Sequence, residues 1–302
     1  MVAADHTVRA GTLAGVAAYS IWGLFPLYFP FLEDATPFEV VCHRILWSLV
    51  VAAIIVVVQR DRTWIAELRR RPRRIAQLGV AALVLSGNWL VYIWAVNNDH
   101  VVEASLGYFI GPLVTVALGV VVLGEHLRRM QVAAVTLGAI AVAVLTVAYG
   151  RLPWIAVVLA ATFAAYGFIK KQVPLGAAQS LAGETALVAP FALVALVVME
   201  MRGSASFGRD GVGMSLWLVS AGPVTAAPLL CFGFAARRIP LVTIGLIQYL
   251  TPTLQFLCGV VVFDETLSAS RWFGMMLVWG ALILLSADAL FTRRRPVEAN
   301  PV

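Results

Sequence analysis

Charge is what this sequence has least of. Of its 302 residues only 13% are charged, and just two of the 22 basic ones are lysines. A soluble domain carries about 25% charged residues, so a cytosolic globular enzyme is excluded. Cysteine is scarce too: Cys42, Cys231 and Cys258 lie inside apolar runs without C-x-x-C spacing. That excludes a disulfide-stapled secreted domain and leaves the thiols as small core residues. The motifs H-E-x-x-H, G-x-S-x-G and any aspartate-rich cluster are missing, and four scattered histidines make no metal site. No cofactor or metal is expected. A G-x-x-x-x-G-K-[ST] loop is also missing, so ATP does not drive this chain directly.

What fills the sequence instead is apolar surface, 61% of residues, with a mean hydropathy of +0.89. Ten apolar segments follow one another, at roughly 10–32, 38–58, 75–98, 101–123, 130–149, 152–169, 179–199, 212–235, 240–263 and 271–291. Each can cross a hydrocarbon layer about 30 Å thick at about 1.5 Å per residue. A closed barrel would need strands alternating apolar and polar residues, and these segments do not alternate. The expected fold is an all-α integral membrane protein of ten helices. The first run, preceded by Arg9, is too long for a signal-peptide core and reads as a span that stays.

The net charge of +6 and the pI near 9.6 come from where the arginines sit, not from a nucleic-acid surface. With the N-terminus in the cytoplasm, 17 basic residues fall on the cytoplasmic side, four fall outside, and Arg44 lies within a span. The positive-inside rule then places both termini in the cytoplasm, in a multi-pass protein of the cell (inner or plasma) membrane. The tail at 292–302 is basic and cytoplasmic on this reading. The stretch 59–74, QRDRTWIAELRRRPRR, has two readings. It is a solvated topology anchor, or an interfacial helix with Trp64, Ile65 and Leu68 on lipid.

Sliding the chain by 140 lays residues 112–127 over 252–267 with seven of sixteen positions identical, among them Pro112/Pro252 and Glu125/Glu265. Earlier the offset becomes 144, pairing Trp22-Gly23 with Tyr166-Gly167. The chain therefore divides into repeats at 10–149 and 152–291. Five spans per repeat is odd, so the second half is upside down relative to the first. Inverted repeats are a signature of secondary transporters.

Polar residues at membrane depth need a reason. Arg44 and Ser48 share one face of the second span, with His43 beside them. Counted from Phe38, Arg44 lies about 9 Å below the outer surface. It either snorkels outward or is a fixed cation for an anionic substrate group or a buried carboxylate. Glu184, at 44 plus 140, is its repeat partner, displaced by about 12 Å in depth within a core of about 30 Å. Glu184 is a proton carrier, since burial favours the neutral acid, or a structural carboxyl bonded to another helix. Asn88 and Tyr92 share a face of the third span. Gly107 and Gly111 allow close helix approach in the fourth. Pro112 and Pro252 are expected to break the fourth and ninth spans, and matched broken helices point to a midplane site. Tyr108, Gln248, Thr251 and Gln255 supply hydrogen-bonding groups around them. Glu103 reads as interfacial, and Glu125 and Glu265 as loop or cap residues at span ends. Gly138, Gly274 and Gly280 leave small-residue faces that permit a homodimer.

HRILWS, NWLVYIWAVN, EASLGYFIGPL and GLIQYLTPT, in that order on the second, third, fourth and ninth spans, resemble the RarD family. That family belongs to the drug/metabolite transporter superfamily with duplicated EamA-type domains. The resemblance runs from about Ala10 to Ala289. It implies ten helices in two inverted repeats, a central cavity formed mainly by spans 1–4 and 6–9, and a permease associated with chloramphenicol sensitivity or resistance. The family commonly has Asn-Pro where this chain has Gly111-Pro112, which weakens position 111 as a substrate contact.

The expected function is secondary transport of a small polar or amphipathic molecule by alternating access. Arg44 would anchor substrate, Asn88, Tyr92, Tyr108, Gln248 and Thr251 would orient it, and His43 or Glu184 would couple protons. The partners are then a small molecule and membrane lipids. Two other classes stand beside it: a membrane enzyme, for which no acid/base or metal cluster is visible, and a non-transporting sensor or partner subunit.

Overall fold

The computed structural model describes residues 2–60, 63–98, 100–264 and 269–294. Among the described residues there is no strand, and ten spans are long and apolar enough to cross a membrane. The long helices are α1 (Val2–Gly23), α2 (Pro37–Gln59), α4 (Pro72–Asn97), α5 (Val101–Val121) and α6 (Arg129–Tyr149), with a short α3 (Thr63–Arg70) between α2 and α4. Then come α7 (Trp154–Gln172), α8 (Ala177–Met201), α9 (Gly211–Ala236) and α12 (Ala269–Arg294). The ninth span is composite: α10 (Leu241–Ile247), α11 (Leu250–Leu257) and a π-helical turn at Cys258–Val262. Inside a bilayer each backbone N–H and C=O needs a partner within its own segment, and the apolar runs supply one only as helices.

Local chemistry sets the ends. Thr36 caps α2, its hydroxyl accepting from the Glu39 amide at 3.2 Å, with Pro37 in the first turn. Gly150, at φ 80°, closes α6 in the left-handed region that favours glycine. The first span ends sooner than expected: α1 stops at Gly23, and Phe25–Leu27 and Phe29–Leu32 are 3₁₀ turns, each with an early proline.

The prolines behave differently from the expectation. Pro112 lies inside an uninterrupted α5, as Pro190 does in α8 and Pro223 and Pro228 do in α9. Among the described residues, the ninth span is the one that breaks near its middle. Its break falls at Gln248–Tyr249, four residues before Pro252, whose ring crowds the Gln248 carbonyl and offers it no N–H. That carbonyl accepts from the Thr251 amide instead, at 3.1 Å. Matched breaks in the two halves are therefore not observed.

The main core is built where α1, α7, α8 and α9 meet, around Tyr19, Tyr166, Leu181 and Phe232. Close helix approach needs small residues. A Cβ on Gly222 of α9 would overlap the Trp47 Cβ and lie 2.5 Å from the Trp47 carbonyl carbon on α2. The glycines thought to leave free faces are used inside the chain. Gly138 meets Tyr249, Gly274 meets Leu145 and Gly280 meets Leu137, so α6 and α12 pack on each other and α6 seats the tyrosine at the break in the ninth span. The α3 helix does not lie on lipid through Trp64 and Leu68, which pack on Leu78, Val173 and Leu175; Ile65 is exposed. Glu265 and the end of the basic tail, 295–302, lie outside the described residues.

Candidate functional site

Arg44 projects from α2 into a ring of aromatic side chains. Its Nε donates to the Thr225 hydroxyl on α9 at 2.8 Å. Its guanidinium carbon lies 4.6 Å from the Trp89 ring centre and 5.8 Å from that of Phe25. Cation–π contact of this kind is worth about 0.5–2 kcal/mol. Tyr28, Tyr92 and Tyr108 lie within its electrostatic reach. All three are phenols, which are neutral near pH 7. Burial pushes Tyr28 further up, against smaller opposing effects of its Ser220 hydrogen bond and the Arg44 charge. Among the described residues no carboxylate pairs with Arg44, and neither terminal nitrogen has a hydrogen-bond partner, although part of the side chain stays accessible.

The other candidates divide. Tyr92 and Tyr108 do come close to each other, and Tyr108 also lies near Gln255. Gln248 is buried and reaches α5, where the Thr115 hydroxyl donates to its Oε1 at 3.2 Å. Its Nε2 lies 2.6 Å from where a Cβ on Gly111 would sit. Gly111 thus serves as the seat of Gln248, and an asparagine there would need that amide moved. Thr251 is committed to structure, donating to the Tyr19 carbonyl of α1 at 2.9 Å. The Asn88 amide nitrogen ties α4 to α7 through the Leu159 carbonyl at 2.9 Å and the Thr162 hydroxyl at 2.8 Å, leaving only its oxygen for other work.

Glu184 does not pair with Arg44. Its Oε1 accepts from Lys170 Nζ at 2.7 Å and from the Ser180 hydroxyl at 2.7 Å, and its Oε2 from the Tyr166 hydroxyl at 3.0 Å. Lys170 is 3% exposed, so it is an internal cation and not the cytoplasmic anchor its position at the end of an apolar run suggested. Arg44 and Glu184 nonetheless line one narrow cavity with Ser48, Ser86, Trp89 and Thr185. The cavity has room for about one water molecule. His43 is elsewhere. It faces a separate groove between α2 and α8, stacks near Phe207 at 4.9 Å, and accepts from Trp47 Nε1 at 3.2 Å.

Two carboxylates hold the ends of the helix bundle. Glu39, fully buried, accepts from the backbone amides of Ser206 at 2.9 Å and Phe207 at 3.0 Å, pinning the α8–α9 loop onto α2. Glu125, in the loop after α5, caps α10 of the other half, accepting from the amides of Leu241 at 2.8 Å and Val242 at 2.7 Å, with Lys171 Nζ 3.6 Å away. Glu103, in the first turn of α5, is buried in the protein. It is 1% exposed and accepts from the Tyr149 hydroxyl at 2.6 Å and the Ile155 amide at 2.9 Å.

The EamA-like transporter family model matches residues 9–147. The protein named RarD from Streptomyces exfoliatus is 50% identical to this chain over 97% of it and 93% of that protein. The chain belongs to the RarD family. The Escherichia coli K12 protein of the same name is 40% identical, over 95% of this chain and 97% of that one. An uncharacterized transporter of Vibrio cholerae is 37% identical, covering 95% of each. A solved crystal structure has the same fold, with a TM-score of 0.71 at 20% identity, covering 94% of this chain and 99% of that chain. This RarD-family chain is accordingly a multi-pass membrane transporter of the drug/metabolite type.

Several residues that shape the site escaped the sequence reading. Thr225, Trp89 and Tyr28 around Arg44 look like ordinary members of apolar or interfacial segments. The Lys170 cluster left a trace: Tyr166 and Lys170 are four apart, as are Ser180 and Glu184, so each pair shares a helix face. Glu39 sits at the last position of a T-x-x-E box opening α2, yet its side chain goes to the α8–α9 loop.

Proposed function

We propose that this RarD-family protein is a secondary transporter that moves a small metabolite or drug-like molecule across the cell (inner or plasma) membrane by alternating access. Both termini are cytoplasmic in this reading, and the halves 10–149 and 152–291 are inverted repeats. The observation that carries it is the pairing of helices. Exchanging the two halves turns the contact of α1 with α9 into that of α4 with α7, and both pairs pack. It likewise turns α2–α9 into α4–α8 and α5–α7 into α1–α11, and all four pack. Two such halves, joined through like pairs such as α2–α8 and α6–α12, can rock against each other. The Arg44 cavity lies within this interface, between α2, α4, α8 and α9.

Crosslinking one side tests the rocking. A Cβ on Gly119 of α5 would lie 3.1 Å from Val242 on α10. In a background lacking Cys42, Cys231 and Cys258, Gly119→Cys with Val242→Cys should form a disulfide that holds these helices together. Solute flux into proteoliposomes, read over a panel of carboxylates, amines and phenicols, should stop on oxidation and return on reduction. Undiminished flux through the oxidised protein would refute alternating access.

A further inference from the structure

We propose that Arg44 is the anchor for a singly charged carboxylate carried on a flat, aromatic-sized apolar body. This inference rests on the transporter reading and gives it a substrate class. Three constraints on the guanidinium lead there. Thr225 takes Nε at 2.8 Å, which fixes the orientation of the plane. Trp89 covers the group with its ring centre 4.6 Å from the guanidinium carbon. What remains is the outer edge, where both terminal nitrogens are without protein hydrogen bonds among the described residues. Two parallel N–H donors on one edge match the two oxygens of a carboxylate.

The charge balance gives the sign and the size of the ligand's charge. Glu184 lines the same cavity, but its charge is matched by Lys170 at 2.7 Å. The tyrosines near Arg44 are neutral. The site therefore carries one uncompensated positive charge at membrane depth, where an unpaired ion is costly. One negative charge on the ligand cancels it. A second would be left unpaired, and a cation would be repelled. That last point separates this aromatic cluster from the cages that bind ammonium groups, because here the cation inside the cage belongs to the protein. The cavity as it stands holds only about one water, so the ligand body enters when the halves part; there Phe25 and Trp89 supply apolar faces, and the neighbouring Tyr92, Tyr108 and Gln255 supply hydroxyl and amide groups.

Binding of four small probes to detergent-purified wild type, by calorimetry or Trp quenching, tests the proposal: 3-phenylpropionate, its amide, 3-phenylpropylamine and propionate. The carboxylate with the ring should bind, the amide and the ring-less acid should bind roughly tenfold more weakly or worse, and the amine should not bind. In Arg44→Gln the carboxylate should fall to the level of the amide; in Arg44→Lys, which keeps charge but loses the fork, it should fall between the two. Circular dichroism confirms that each variant is folded. Equal or tighter binding of the amine, no binding of the ring-bearing carboxylate to wild type, or unchanged carboxylate binding in Arg44→Gln would overturn the proposal. Binding is scored apart from flux. A carboxylate that binds through Arg44 but never crosses proteoliposomes would leave the anchor standing and remove the transporter reading. Amine flux retained in Arg44→Gln would do the reverse.

Discussion

Lys170→Met removes the cation paired with Glu184 and is the sharpest probe of the interior. In the wild type the Glu184 carboxylate accepts three hydrogen bonds, from Lys170, Ser180 and Tyr166, all buried. Removing one partner of a buried ion pair costs about 3–5 kcal/mol, because the other charge stays behind. Ser180 and Tyr166 remain, and hydrogen bonds to a charged group are each worth about 1.5–3 kcal/mol. The expected loss therefore lies at the lower end, about 3 kcal/mol. Lys170→Met with Glu184→Leu removes both charges and should be more stable than either single variant, because no ion is left unpaired. The measurement is unfolding in mixed detergent micelles, followed by circular dichroism, for wild type, both singles and the double. A single variant within about 1 kcal/mol of wild type, or a double whose cost equals the sum of the singles, would show that the pair is not coupled as the geometry requires.

Two further outcomes follow from contacts elsewhere. Gly222→Ala places a Cβ 2.5 Å from the Trp47 carbonyl carbon, against backbone that cannot swing away, so α2 and α9 must separate. A loss of at least about 1–3 kcal/mol is expected in the same unfolding assay, whereas Gly213→Ala, with open space around it, should be within about 0.5 kcal/mol of wild type. Glu39→Ala removes the acceptor for the Ser206 and Phe207 amides. Hydrogen–deuterium exchange at those two amides should rise while the loops at the opposite end of the helix bundle are unchanged; unaltered exchange would mean the loop is held by other contacts.

The sequence by itself determined the membrane, the number of spans and the class of fold. Those follow from length and hydropathy alone, because a bilayer accepts few backbone arrangements and ten runs of the right length leave one of them. It also singled out Arg44, Tyr92, Tyr108 and Gln248, since polar groups inside apolar runs are conspicuous, and the family motifs were legible as written. Partnerships were not. Whether Glu184 meets Arg44 or Lys170 depends on how α7 and α8 pack, and residues 14 positions apart across a helix turn leave no periodic signal of contact. The same holds for Thr251 and Asn88, whose hydrogen-bonding groups are largely spent on α1 and α7, and for Gly138, whose open face is filled by Tyr249. Proline misled for a related reason. Its lost hydrogen bond is a local fact, but the helix need not break there: Pro112 runs on inside α5, while the ninth span breaks at Gln248, four residues before Pro252, with the Gln248 side chain seated on Gly111. Hydropathy is a property of one segment and can be read from it. Which charge is paired and which is left open is a property of two segments, and only the tertiary structure brings them together.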